Sequence, residues 1–156
     1  MKLHLLAVGT RPPAWVQAGY DEYARRLPRE CALTLREFPL ARRGKGEDAA
    51  RSRTTEGERL LGAVPAGAVT VALDERGRGL TTRELADRLG AWRDDARDVA
   101  FLVGGPDGLD PSVRERADLV WSLSPLTLPH ALVRVVVAEA LYRAWTVNTG
   151  HPYHRD

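Results

Sequence analysis

Cysteine is nearly missing from this 156-residue chain, with Cys31 its sole example. A lone cysteine excludes a disulfide within the chain and leaves a thiolate zinc site short of ligands. A reducing compartment fits that usage. Lysine is scarce as well, since only Lys2 and Lys45 stand among the 23 basic residues. Long apolar runs are missing too. The longest, Ala131 to Leu141, is broken by Arg134 and Glu139 and falls short of the ~20 residues that cross a bilayer. Met1 to Leu6 carries one lysine and too short an apolar run for a secretory signal before Gly9 to Pro13 interrupt it. The expectation is a soluble, cytoplasmic protein with no membrane association and no metal-ligand cluster.

What is present is ordinary globular composition, 44% apolar and 28% charged residues, with Pro and Gly scattered through the chain. At this length one domain covering residues 1–156 is expected. A net charge of +2 does not by itself announce nucleic acid. Arginine presents a planar bidentate fork suited to phosphate and to stacking, but a genomic bias toward arginine explains the same count, and composition alone favours that reading.

Strand-like and helix-like segments alternate along the chain, the order that produces a largely parallel sheet covered on both faces. Leu3 to Val8 reads as a first strand. Thr10 is placed to cap the following helix, with Pro12 and Pro13 in its first turn and Val16, Tyr20, Tyr23 and Leu27 on its apolar stripe. Ala32 to Phe38 alternates like a second strand. The glycine-rich cationic stretch Ala41 to Glu47 reads as an exposed mobile loop before a polar helix ending near Val64. Val69 to Leu73 is a strand buried on both faces that ends at Asp74. Thr81 and Glu84 form a capping box for a helix bearing Leu85, Leu89 and Trp92. Val99 to Val103 is a fourth strand, Pro111 to Ala117 a short helix, and Leu119 to Leu123 a fifth strand. The last helix, His130 to Val147, is apolar almost all round, so a second copy of the chain is expected to cover its other side, although a central helix enclosed by its own domain has the same pattern.

Two turn-rich loops follow predicted buried strands, where ligands bind in open α/β sheets. In Gly104-Gly105-Pro106-Asp107-Gly108 the first two glycines permit positive φ and close backbone approach. The spacing is neither a dinucleotide fingerprint nor a phosphate loop, and a tight turn alone would explain it. The second loop, Leu123-Ser124-Pro125-Leu126-Thr127-Leu128, mixes hydroxyls with apolar walls and suits a ligand such as adenosine; equally, Thr127 would cap the next helix. His130 is either ligand-facing or a cap. Glu139 and Arg143 have the spacing of a plain helical ion pair. The tail, Asn148 to Asp156, holds Tyr153, two histidines and Arg155; such tails usually fray, whereas aromatic and arginine groups also stack on extruded RNA bases.

Together, Gly104-Gly105-Pro106, Leu123 through His130, Leu141-Tyr142-Arg143-Ala144-Trp145 and His151-Pro152-Tyr153-His154-Arg155 closely resemble the ribosomal RNA large-subunit methyltransferase H family, the 23S rRNA pseudouridine-1915 N3-methyltransferases. The resemblance runs from Met1-Lys2-Leu3 and Ala7-Val8-Gly9-Thr10 to the end of the chain. Asp107 and Asp156 stand where Glu is also familiar, and Pro125 occupies a variable position. The resemblance implies an α/β SPOUT fold with a C-terminal trefoil knot, a homodimer, and S-adenosylmethionine held by Leu73, Gly104, Gly105 and Leu123, Ser124, Pro125, Leu126, Thr127 and Leu128. An unaided reading would choose an unknotted doubly wound sheet. Methyl transfer to a protonated imide needs a base and a stabilising cation, so Arg143, Tyr153, His154 and Arg155 are expected to form the target pocket for 23S ribosomal RNA, and the resemblance favours the assembled ribosome as substrate. His154 is the favoured proton acceptor, and the tail, following a helix expected at the dimer interface, serves either its own subunit's site or the other's. Methylation of another RNA nucleotide, or a ribosome-binding factor without activity, are the competing readings.

Overall fold

The computed structural model describes residues 1–42 and 49–155. Arg43 to Glu47, most of the predicted mobile loop, and the terminal Asp156 lie outside the described residues. The elements run β1 (Leu3–Val8), α1 (Ala14–Ala24), β2 (Leu33–Phe38), α2 (Ala49–Gly62), β3 (Val69–Gly79), α3 (Thr82–Asp94), β4 (Val99–Val103), α4 (Pro111–Arg116), β5 (Leu119–Ser122) and α5 (His130–Thr149), with 3-10 turns at Arg29–Cys31 and Pro152–His154.

The five strands form one parallel sheet in the order β2-β1-β4-β3-β5. Side chains alternate between its two faces, as strand geometry requires. Leu3, Leu5, Ala7, Val71 and Phe101 join Leu85, Leu89, Val137 and Leu141 in one core, under α1, α3 and α5. Leu6, Val8, Ala72, Ala100 and Leu102 join Leu60 and Val113 in the other, under α2 and α4. All five residues of β4 are buried, which matches its unbroken apolar run.

Three boundaries differ from the sequence reading, each for a local reason. Thr10 does not cap α1; the helix begins after Pro13, whose side chain makes no cap. A residue before proline is pushed out of the helical region, and with Pro12 followed by Pro13 the helix cannot start earlier. Gly9 and Arg11 have φ of +114° and +54°, turning the chain before it enters α1. The second difference lies in β3, which continues past Asp74 to Gly79. Leu73 and Arg78 both stand opposite Trp121 of β5, so 74–77 bulge out of the ladder. Gly77 permits this, because a Cβ there would meet the Val120 carbonyl oxygen at 2.5 Å. The third concerns the tail, which does not fray: Gly150 turns the chain at φ +73°, and 152–154 pack back on α5 as a 3-10 turn. The capping box at Thr81 and Glu84 is present in full.

Arg134 on α5 is 3% exposed, donates to Glu37 Oε2 and to the Gly9 carbonyl, both at 2.6 Å, and ties α5 to the ends of β1 and β2. A buried guanidinium left without its carboxylate is strongly destabilising, so this ion pair holds the helix in register rather than adding much net stability.

Candidate functional site

The carboxyl ends of β3, β4 and β5 open into a pocket of about 750 Å³, within the ~300–1,000 Å³ of small-molecule and cofactor sites. Its floor is the loop after β4. Gly108 N–H donates to the Gly105 carbonyl at 3.0 Å, closing a turn with Pro106 second and Gly108 fourth, where type I turns favour these residues. The positive φ in this loop belongs to Gly108, at +80°; Gly104 and Gly105 do not adopt it. Their glycine requirement is steric. A Cβ on Gly104 would lie 2.6 Å from the Gly108 carbonyl carbon and 2.7 Å from its oxygen. One on Gly105 would lie 3.0 Å from Val8 and Leu40 side chains, pointing into the fold.

The second wall is the loop between β5 and α5. Ser122 Oγ donates to the Ser124 carbonyl at 3.0 Å, and Leu126 N–H donates to Ser124 Oγ at 2.9 Å. Ser124 thereby uses both its carbonyl and its hydroxyl to shape the loop. Thr127 does not cap α5, whose first turn follows Pro129 without a side-chain cap. Its hydroxyl donates instead to Glu75 Oε2 at 2.7 Å. Leu73, Gly104, Gly105, Leu123, Ser124, Leu126, Thr127 and Leu128 all line the pocket, and Pro125 is the one member of the predicted set that does not. His130 lines it as well, so the ligand-facing alternative describes its position.

The bulge of β3 supplies a wall that the sequence reading missed. Asp74, Glu75 and Arg76 line the pocket. Asp74 is held by Arg114 Nη1 at 3.1 Å and accepts from the Arg76 N–H at 2.9 Å. Arg53 and Trp121 line the pocket from α2 and β5. The signal for the bulge was Gly77 in an otherwise strand-like run, since a glycine inside a strand often marks one.

The predicted target residues collect elsewhere on the chain. Arg143 Nε donates to Glu139 Oε1 at 2.9 Å, and the Tyr153 hydroxyl donates to the same oxygen at 3.0 Å. The Arg143 guanidinium sits over the Tyr153 ring at 4.8 Å, and that ring packs on Tyr142 at 4.7 Å. The ion pair expected of Glu139 and Arg143 therefore exists and also anchors the tail. Burial first, then the bond to Glu139, pushes the Tyr153 phenol up to about 12, and the Glu139 hydrogen bond holds the Arg143 guanidinium above its ordinary value. His154 Nδ1 is enclosed with no protein partner among the described residues, while Arg155 is exposed. None of Tyr153, His154 and Arg155 lines the main pocket of their own chain. Arg143 lines a separate cavity of about 150 Å³ that shares the Trp121 and Leu123 walls with it.

Comparison with known proteins bears on this arrangement. A family model described as predicted SPOUT methyltransferase matches residues 1–154. The ribosomal RNA large subunit methyltransferase H of Thioalkalivibrio sulfidiphilus is 59% identical over 156 residues, all of both chains. Among solved structures, a methylase family protein from Neisseria gonorrhoeae aligns over 90% of this chain and 81% of its own, at TM-score 0.55 and 14% identity. A Legionella pneumophila methyltransferase solved with its cofactor SAM aligns over 93% of this chain and 66% of its own, at TM-score 0.50 and 11% identity. At those identities the two structures speak for the fold alone, while the family model and the full-length relative speak for descent. The chain belongs to the SPOUT methyltransferase family, among the ribosomal RNA large subunit methyltransferase H proteins.

Proposed function

We propose that this protein is the S-adenosylmethionine-dependent enzyme that methylates N3 of pseudouridine 1915 in bacterial 23S ribosomal RNA, acting in the cytoplasm on the assembled ribosome as a homodimer. Residues 1–156 act as one SPOUT domain, with the family's knot in its C-terminal part. The observation that carries the reading is the pocket at the ends of three parallel strands, walled by two loops with the family's residues.

The pocket suits the cofactor chemically. Leu73, Leu123, Leu126 and Leu128 offer apolar surface to an adenine ring, and the close turn at Gly104 leaves backbone groups bare of any Cβ. The wall carries Asp74, Glu75 and Asp107 beside Arg53, Arg76 and Arg114, so groups of both signs face a ligand that itself carries a sulfonium, an ammonium and a carboxylate. When bound, S-adenosylmethionine supplies an electrophilic methyl group on a sulfonium sulfur.

The chain's own residues must prepare the nucleophile. N3 of pseudouridine is an imide that holds its proton at neutral pH, so a proton acceptor and a neighbouring cation are both needed. Tyr153, with its phenol pushed up to about 12, keeps its proton, donates it to Glu139 and so holds its ring beside Arg143 as a stacking surface. Arg143, held charged by Glu139, stabilises the imide anion. His154 takes the N3 proton on Nε2, since Nδ1 is enclosed. Arg155 stands exposed to grip phosphate.

Because the tail lies away from its own pocket, it completes the pocket of the partner subunit. Half-buried Leu132 and Val136 on α5 offer apolar surface for that partner, and α1, packed on α5, carries Trp15 at 61% exposure. Val136→Asp is expected to give monomers with no ribosome methylation, since an unpaired carboxylate in an interface costs several kcal/mol. Sedimentation velocity measures this, and an active monomer would refute the dimer. The function itself is tested by incubating the protein with S-adenosylmethionine and ribosomes lacking the modification, then reading the ribosomal RNA by mass spectrometry. A single methyl on N3 of the pseudouridine is expected; a methyl elsewhere, or cofactor binding without transfer, would replace the reading.

A further inference from the structure

The bulge in β3 is an expensive feature to build. Four residues leave the ladder with β5, Gly77 must remain a glycine because a Cβ there would stand 2.5 Å from the Val120 carbonyl oxygen, and Asp74 is held in place by Arg114. What the bulge achieves is to carry Glu75 across the pocket. Its carboxylate meets Thr127, 52 residues further along the chain, with Thr127 Oγ1 donating to Glu75 Oε2 at 2.7 Å. Both residues line the pocket. Among the described residues the loop's other side-chain hydrogen bonds are short-range, from Ser122 to Ser124 and from Leu126 to Ser124. Leu126 is 71% exposed, so no packing pins that part of the loop.

We propose that Glu75 is a positioning residue for the cofactor site, and that through its bond with Thr127 it latches the loop 123–128 onto the β3 bulge in the conformation that binds. This rests on the methyltransferase reading of the same pocket. Glu75 acts on the loop and need not touch the reacting atoms. The Arg76 N–H and the Arg114 guanidinium both bond Asp74, so the bulge is tied at a second point besides the Thr127 contact. Release of the bond widens the ensemble of the loop, and binding must then restore one conformation from many.

The experiment uses the full chain and the variants Glu75→Ala, Glu75→Gln, Thr127→Val, Thr127→Ser and the Glu75→Ala/Thr127→Val double. Hydrogen exchange of the peptide covering 123–129 is measured without ligand, and S-adenosylmethionine affinity is measured by calorimetry. Losing a charge-assisted but exposed hydrogen bond should weaken affinity roughly three- to tenfold and speed exchange of the loop by a similar factor. The double variant should be no worse than the worse single one, because both remove one interaction. Glu75→Gln and Thr127→Ser, which keep an acceptor and a donor, should retain most of the wild-type behaviour.

Unchanged loop exchange in Glu75→Ala, or independent additive losses in the double variant, overturns the latch. A wild-type chain that does not bind S-adenosylmethionine refutes the methyltransferase reading instead, and the ligand-free exchange result still decides whether the latch exists.

Discussion

Deleting residues 153 to 156 is expected to lower ribosome methylation by at least ~10³-fold, because a proton acceptor alone is worth ~10²–10⁴-fold and charge stabilisation adds to it. The deletion removes the stacking ring of Tyr153, the imidazole of His154 and the guanidinium of Arg155 together. Cofactor affinity should stay within about twofold, since none of these residues lines the pocket of its own chain and the partner's tail serves the reacting base. The fold should survive with a measurable loss. Tyr153 gives up its ring contact with Tyr142 and its bond to Glu139, together about 1–3 kcal/mol, so the melting temperature should fall by several degrees. His154→Ala and Arg155→Ala should each reproduce part of the activity loss. A mixed dimer of one tailless and one pocket-blocked chain decides whether the tail works across the interface: in trans, only the site pairing intact tail with intact pocket is active. Full activity in the truncated protein would move the target pocket away from the tail.

Gly104→Ala is expected to abolish measurable cofactor binding, a loss of at least ~10²-fold, although it adds only one methyl group. Its Cβ would stand 2.6 Å from the Gly108 carbonyl carbon and 2.9 Å from the Leu109 nitrogen, and these are backbone atoms that no rotamer change can move aside. The turn at 105–108 would have to open, and with it the floor of the pocket. Gly105→Val provides the contrast. Its side chain would push into Val8 and Leu40, so it should cost about 1–3 kcal/mol of stability and weaken cofactor binding less than Gly104→Ala does. Calorimetric titration with S-adenosylmethionine beside a thermal melt separates the two. Equal cofactor affinity in Gly104→Ala and the wild type would show that the turn does not form the floor.

The Gly104 result turns on contacts between residues close in sequence but folded back on one another, and such contacts are only partly legible in a string of letters. The glycines of 104–108 announced a tight turn, yet the positive φ belongs to Gly108 and the crowding to Gly104. Sequence spacing cannot tell which glycine is needed for its dihedral and which for its missing Cβ.

The five strands, the capping box at Thr81 and the apolar character of α5 were readable directly, because each rests on periodicity or on a cap within a few residues. The buried strand ends and the two loops after them likewise pointed to a ligand site at one end of a parallel sheet. Local rules failed where a distant partner set the outcome. Thr127 had the right spacing to cap α5, but Glu75 arrives from 52 residues away and claims its hydroxyl. β3 was expected to end at the charged Asp74, but its bulge lets the strand resume beside β5. The tail, which by its composition should fray, is held by Glu139 and Tyr142 on α5. In the first two cases the deciding free energy lies in a contact between segments far apart in the chain, and in the tail it lies in a turn back onto α5; only the folded sheet and helices bring those groups within hydrogen-bond reach.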